Sequence, residues 1–577
     1  MDSQVSNLGE PTLPEWVSEF DTKTHPETVW TSANVQEVIP GMLSPMSWSL
    51  ISEVLDQARL KALRRVGIRI SNPDPFVGLF YGRPFLNVSF LREAAEQSGG
   101  HEGMNEQYLG VVREANASPR RRSLGLRVRR ATVALRAVLV WQRMPAELRG
   151  FRRIVEEAES FEAAYPISQL STEELTAIIK MGRAVSGYDA SVHFSTSSAA
   201  GVAFERLRQR TAGWLGDDTG ALHATLCGLS GVESGRPAFE LWDLSRIVVA
   251  SAALREAFQP TNGAEIESRL RALGDYAGGP FRDRLAEFLR RHGHRAVMEG
   301  DLSSPTWSDD LPSVLSMIRN YVDADASSDP HLAEERQQRE RDAAEKDALR
   351  RVGWRRRTAF RWALGEARRT LAMREQSKSL LIRANDRLRR LMRELGGRLA
   401  DDGQLARLDD IFYFTWEEAV DLADGRLNST QAAAAVRRRR EEEERNRGVA
   451  LPESFAGRPR SLSAAPASTR GQVLKGLAVS PGRATGPARV VRDPRDNVEV
   501  KKGEILVAPV TDAAWTPLFV TVAGLVVDVG GTLSHGSIVA REYGLPAVVG
   551  VRTATQCIKT GQIITVDGSQ GIVIVEG

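Results

Sequence analysis

The sequence predicts a multidomain protein, a large mainly α-helical domain followed by a small α/β domain. Three observations carry this. The 577 residues exceed what one hydrophobic core serves, so two or more domains are expected. From about residue 45 to 445, apolar residues recur at spacings of three and four, the period of helices that bury one face. Beyond 472 the texture changes to short β-branched runs (VLKGLAVS, ARVVR, GEILVAPV, AGLVVDVG, PAVVGV, QIITVDG) broken by Gly, Pro and Asp.

Taken in order, residues 1–448 form the helical domain, interrupted at 66–90, where GIRISN and YGRPFLNVSF read as short extended pieces around turns. Arg437–Arg440 followed by Glu441–Glu444 reads as the solvated end of its last helix. Leu451–Gly471, LPESFAGRPRSLSAAPASTRG, lacks a periodic apolar face, so 449–471 is expected to be a flexible linker. About twenty residues of such coil span roughly 25 Å root mean square, enough to let the next domain swing. Residues 472–577 form the α/β domain, with one good helix at about 535–543.

Composition narrows the function classes. Basic residues number 77 and acidic ones 74, a near balance that argues against nucleic acid as a partner. Two distant cysteines, Cys227 and Cys557, exclude a disulfide framework or a thiolate zinc site and suit a reducing cytosol. The N-terminal MDSQVSNLGEPTLPEW does not read as a signal peptide, and the longest apolar run, around Pro517–Val527, is too short to span a bilayer. A cytoplasmic protein without a membrane partner is the expectation.

The chemistry concentrates in VVDVGGTLSHGSIVAREYG, which reads strand, glycine turn, helix. Gly530 and Gly531 permit backbone dihedrals closed to other residues. Ser534 is a good N-cap for a helix beginning at His535, and Gly544 and Pro546 stop it. Unpaired N–H groups and the positive dipole end favour an anion there. A histidine of ordinary pKa is mostly neutral at pH 7, which leaves a ring nitrogen free as a nucleophile. The arrangement suits an imidazole that takes a phosphoryl group; a satisfied histidine near a helix cap is the plain alternative.

Four blocks carry a resemblance over 474–577: LKGLAVSPGRATGPARVV, GEILVAPVTDAAWTPLF, GGTLSHGSIVAREYGLPAVVGV and VDGSQGIV. They resemble the swivelling phosphohistidine domain of the phosphoenolpyruvate-utilising enzymes, among them the rifampin phosphotransferases. The resemblance implies that His535 is phosphorylated and shuttles the group between two sites, with Gly530, Gly531, Thr532 and Ser534 holding the phosphate. The commoner family form has Thr before Ser-His and Ala after, where this chain has Leu533 and Gly536.

The order of domains, and the blocks at 30–50, 81–89, 290–311 and 371–396, are similar to the substrate domain of rifampin phosphotransferase. Read without the family, Phe360, Leu364, Ala367, Leu371, Arg374, Lys378, Leu381, Asn385, Leu388, Met392 and Leu395 step along one helix face. Arg374 and Lys378 interrupt an apolar stripe, so either carboxylates pair with them or the stripe lines a cavity that accepts an anion. The resemblance, in which the Arg-Glu-x-x-Lys spacing recurs, favours the second and implies that both stabilise a travelling phosphoryl group. His292-Gly293-His294-Arg295 with Glu299 and Asp301 chelates a metal poorly, so no metal is expected; His294 is either a general base or a buried hydrogen-bonding corner. Asn34, Glu37, Arg295 and Glu299 are the candidate substrate contacts, with turn structure the alternative for Asn34, Glu37 and Pro45. His25, His101, His193, His223 and His331 have no supporting pattern.

Rifampin phosphotransferase resembles this chain only after its ATP-grasp domain, and no glycine-rich phosphate loop with its lysine occurs here. ATP and Mg are therefore expected on a separate ATP-grasp-type subunit, which phosphorylates His535. The domain would then carry the group to a hydroxyl of a small organic substrate. The rival readings are a dehydratase acting through a phosphorylated alcohol and a non-catalytic, phosphorylation-responsive partner.

Overall fold

The computed structural model describes residues 16–32, 35, 39, 41–98, 124–215, 224–226, 235–260, 262–324, 329–461, 471–493, 500–512, 515–519, 521–531 and 534–576. A large helical region is followed by a small α/β domain, as the patterning predicts.

Two long helices form the spine of the helical region. Helix α1 (Pro45–Val66) starts behind Ser44, whose hydroxyl accepts from the Ser47 amide, and ends at Gly67 in the left-handed conformation (φ 84°). Helices α2 (Val88–Ser98) and α3 (Leu124–Ala164) follow, then α4 (Thr172–Leu215), α5 (Arg236–Ala250), α6 (Gly274–His292), α7 (Leu311–Val322), α8 (Pro330–Arg351) and α9 (Trp354–Asp401). Helix α9 contains the whole apolar stripe and buries Phe360, Leu364, Ala367, Leu371, Leu388, Met392 and Leu395. It lies antiparallel on α4, with Gly182 opposite Leu388 and His193 opposite Ser377. A Cβ on Gly182 would stand 2.6 Å from Leu388 Cδ2, so glycine lets the two helices close. Helices α10 (Trp416–Ala423) and α11 (Ser429–Arg447) complete the region.

Strands β1 (Val29–Thr31), β2 (Val77–Phe80) and β3 (Arg83–Asn87) meet the expectation of extended pieces at 66–90 in part. β3 falls within YGRPFLNVSF, whereas GIRISN forms no strand, β2 lies between the two, and Val88–Phe90 already begins α2. The three strands join β4 (Ser454–Ala456) in an antiparallel sheet ordered β2-β3-β1-β4. Strand β4 corrects the linker, because its first part is anchored. Ser454–Ala456 pairs with Val29–Thr31, and the Ser32 amide donates to the Glu453 carbonyl at 2.8 Å. The cause is Phe455, which packs edge-on against Phe80 and Phe85 at 5.2 and 4.9 Å between centroids. Residues 462–470 of the expected linker lie outside the described residues.

The C-terminal domain is built on β5 (Val473–Lys475), β6 (Leu477–Ser480), β7 (Arg483–Val490), β8 (Ile505–Ala508), β9 (Gly524–Val527), β10 (Ala547–Val549), β11 (Ile563–Asp567) and β12 (Ile572–Val575). The order is β5-β12-β11-β7-β8-β9-β10-β6, parallel from β7 to β10 and antiparallel at both flanks. β8 and β9 are buried along their whole length because both faces are covered. One face packs on Trp515, Phe519, Val539 and Ala540, the other on Ala554, Ile558, Val566 and Val573. Helix α12 (His535–Tyr543) lies over the first face.

In this arrangement α12 packs against α8, and the turn of helix at Thr516–Phe519 packs against α5 and α7. At the C-terminal end of α12, a Cβ on Gly544 would come 2.6 Å from the amide nitrogen of buried Gln337. Arg552 Nε bonds Glu453 Oε2 at 2.8 Å, joining the domain to the anchored half of the linker.

Candidate functional site: a carrier histidine and a cationic acceptor cluster

Local sequence builds the carrier end. Ser534 is the N-cap of α12, and its Oγ accepts from the Ser537 amide at 3.3 Å. Ser537 Oγ in turn donates to the Gly531 carbonyl at 2.7 Å, which folds the glycine turn back on the first turn of helix. His535 is therefore the first residue of the helix, where amides of the first turn have no helical partner. Gly530 is needed for a different reason from the one expected. It does not have the positive φ seen at Gly544 and Gly550. A Cβ there would approach Val549 Cβ to 3.1 Å and Ser534 Oγ to 3.3 Å, so a side chain fits only if these neighbours give by a few tenths of an ångström. Thr532 and Leu533 lie outside the described residues.

The departure at Gly536 has a structural counterpart. A Cβ at that position would stand 2.1 Å from the hydroxyl of buried Thr511. Gly536→Ala is expected to destabilise the domain by about 1–3 kcal/mol through overpacking. Thr511→Ala added to it removes the clashing oxygen and is expected to restore most of the loss, read as the midpoint of thermal unfolding.

A cationic cluster lies where α9 packs on α4. Arg374 Nη1 bonds Glu375 Oε1 at 2.9 Å. Lys378 Nζ lies 3.9 Å from Glu299 Oε2, and Arg295 Nη1 bonds Glu299 Oε1 at 2.9 Å. Both stripe cations thus have carboxylates beside them, yet each keeps roughly a fifth of its side chain exposed (21% and 17%), so the pair still faces solvent. Arg295 and Glu299, expected as substrate contacts, are buried and bonded to each other next to Lys378. His294 sits beside Arg295 with Nε2 enclosed and unpartnered. Burial first, then the charges of Arg295, His292 and Arg383, hold its pKa well below the usual range. His292 Nε2 lies 3.3 Å from Glu240 Oε1. Among the described residues no group of three or more His, Cys, Asp or Glu is placed to hold a metal. Asn34 and Glu37 lie outside the described residues, while Pro45 starts α1.

The structure adds His193, for which the sequence showed no pattern. Its Nδ1 lies 2.9 Å from Ser377 Oγ, which lies 2.7 Å from Thr196 Oγ1. Ser377 Oγ also reaches the Arg374 carbonyl at 2.8 Å, and Thr196 Oγ1 reaches the His193 carbonyl at 2.9 Å. When Thr196 Oγ1 donates to Ser377 Oγ and Ser377 Oγ donates to the Arg374 carbonyl, Nδ1 carries the ring proton and Nε2, 3.5 Å from Ser197 Oγ, keeps its lone pair. Burial, with the charges of Arg374 and Lys378, pushes the pKa of His193 from 6.5 down to about 3, so the ring is neutral at pH 7. One helical turn earlier, Asp189 is 4% exposed, its Oδ1 has no hydrogen-bond partner, and burial raises its pKa from 3.8 to about 7. Asp189, His193 and Thr196 stand at i, i+4 and i+7 on one face of α4.

Fold and site together set a small α/β domain, with a histidine at the start of a helix, after a helical domain with a cationic cluster. Residues 500–571 match the family model of the PEP-utilising enzyme mobile domain, and residues 192–375 that of the rifampicin phosphotransferase fourth domain. The second match includes both His193 and Arg374. The chain is similar to the rifampicin phosphotransferase of Streptomyces sviceus, 32% identical over 384 residues, 64% of this chain and 42% of the relative. It is also similar to the rifampicin phosphotransferase of Bacillus cereus, 31% identical over 325 residues, 54% of this chain and 36% of that protein. A third relative is the prodigiosin synthesizing transferase PigC of Serratia marcescens, 33% identical over 303 residues, 51% of this chain and 33% of PigC. The chain spans less than half the length of these curated relatives.

Proposed function

We propose that the chain is a phosphotransferase component that carries a phosphoryl group on His535 and delivers it to a hydroxyl of a small organic molecule. The donor is ATP with Mg, held by an ATP-grasp-type partner protein. In the first step an imidazole nitrogen attacks phosphorus, a P–N bond forms and the P–O bond to the nucleotide breaks. After the domain has turned towards the α4–α9 crossing, the acceptor oxygen attacks phosphorus, the P–N bond breaks, and the acceptor proton passes to His193 Nε2.

The observation that carries this reading is the juxtaposition of Arg374, Lys378 and a neutral His193 on two crossing helices. Stabilising charge on the transferred group is most of the work in phosphoryl transfer, and two partly exposed cations supply it. Burial first, and those cations second, keep His193 neutral. A phosphoryl group that pairs with them removes one cause of its low pKa and makes Nε2 a better base at the moment it is needed. The present docking of α12 on α8 supports a carrier that rests on a surface other than the α4–α9 crossing. Because one similar protein is named a synthesizing transferase, a second reading has the phosphoryl group serving only to activate the acceptor.

The test uses the full chain with ATP, Mg and the ATP-grasp part of a rifampicin phosphotransferase. The chain is expected to gain an acid-labile phosphoryl group that an acceptor alcohol, with rifampicin as the first probe, then removes. Phosphate retained on the product supports the first reading, and phosphate released beside a changed product supports the second. A label that no acceptor in a panel of alcohols removes contradicts delivery.

A further inference from the structure

Helix α3 carries two apolar stripes, and only one of them is used by the fold. Val133, Met144, Leu148, Phe151 and Val155 point inward and are buried. Val128, Leu135, Val138 and Leu139 are exposed at 61, 64, 43 and 52%. At about 100° per residue these four share an arc of about 100°, opposite Val133 and Met144. Scattered exposed apolar residues need no explanation, but four large ones aligned on one face of one helix do.

The charge on the same half of the helix is one-sided. From Leu124 to Ala146 there are five arginines (Arg127, Arg129, Arg130, Arg136 and Arg143) and no Asp or Glu. That is a formal +5 in a chain whose net charge is +3. Pro145 lies at the end of this segment, and Glu147 is the first acid beyond it. Arg129 bonds the neutral side chain of Gln97 at 2.7 Å, and Arg130 bonds the Glu96 carbonyl, so neither of these contacts offsets the charge. Arg136, on the flank of the stripe, also edges a groove of about 580 Å³ floored by Leu60, Leu63, Ile68 and Ile70, with Arg64 and Arg69 on its rim.

We propose that this face of α3 lies on an anionic lipid bilayer, the stripe in the interfacial layer and the flanking Arg136 and Arg143 against lipid phosphates. An apolar strip bordered by arginine is the pattern of a helix that lies in a membrane interface. A second copy of the chain is a poor occupant, because stripe-to-stripe contact sets Arg136 and Arg143, which flank the stripe, against the same residues of the other copy. The absence of a described helix long and apolar enough to cross a membrane is consistent with a surface contact. The expectation of no membrane partner rested on the absence of a signal peptide and of a spanning apolar run, neither of which bears on a surface-lying helix.

The experiment is cosedimentation of the full chain with vesicles of phosphatidylglycerol and phosphatidylcholine, and with vesicles of phosphatidylcholine alone. Binding to the anionic vesicles is expected to be at least about tenfold tighter and to weaken as salt rises. Leu135→Glu with Leu139→Glu, two exposed positions, is expected to lower that binding at least about tenfold while thermal unfolding stays unchanged. Equal binding to both vesicle types, binding that the double variant retains, or sedimentation of the free chain as a dimer that the double variant dissociates overturns the proposal.

Discussion

Lys378→Ala is expected to slow transfer from phosphorylated His535 to the acceptor by about 10²–10³-fold while leaving the phosphorylation of His535 unchanged. The two halves of the prediction separate the two ends of the molecule. Lys378 stands on α9 at the acceptor cluster, whereas His535 and its cap belong to α12. The loss is not a folding defect in disguise. Lys378 is 3.9 Å from Glu299, which keeps its 2.9 Å bond to Arg295 when Lys378 is removed, so Glu299 is not left unpaired, and thermal unfolding of the variant reports any residual folding defect. Arg374→Ala is expected to behave likewise. Either variant also removes one of the charges that lower the pKa of His193, so the acid limb of the transfer rate moves to higher pH. Single-turnover transfer from the labelled chain, measured across pH, checks both. A variant that transfers at the wild-type rate removes Arg374 and Lys378 from the mechanism.

Asp189→Asn is expected to stabilise the helical domain, and more so as pH rises. The carboxyl of Asp189 is buried with one oxygen unpartnered, and its pKa is raised from 3.8 to about 7. The unfolded chain releases this proton from about pH 4 upward, and the folded chain only near pH 7, so between those values burial increasingly penalises the fold. Below pH 4 there is no penalty, and above pH 7 it is complete, at most about 4 kcal/mol. Asparagine removes the charge at constant volume. The gain at pH 8 is expected to exceed that at pH 5 by about 2 kcal/mol, read from denaturant unfolding at the two values. An equal gain at both pH values contradicts a raised pKa at this position.

The parts of the protein that were legible from sequence are those set by short-range physics. The cap at Ser534, the helix from His535 and its stop at Gly544 lie within a dozen residues, and each signal acts locally. The stripe through Arg374 and Lys378 is a helical period, so it too can be read before any fold is known. His193 was not legible because what gives it meaning is remote. Ser377 is 184 positions away, and the two cations reach it only after α4 and α9 pack antiparallel. Strand β4 escaped for the same reason, since a single Phe455 docks on Phe80 and Phe85 from almost four hundred residues further along. Gly530 shows the converse error. A glycine beside a turn suggests a special backbone angle, and here the constraint is the room left between Val549 and Ser534.

The central claim, that His535 is the atom-carrying residue of a phosphoryl relay, is tested most directly by mapping the phosphoryl group on the chain. After incubation with ATP, Mg and an ATP-grasp partner, peptides are separated at alkaline pH, where a P–N bond survives, and read by mass spectrometry. One acid-labile phosphoryl group is expected on the peptide containing His535, absent from His535→Ala. An acid-stable phosphoryl group on serine or threonine, or a labile one that persists in His535→Ala, contradicts the claim.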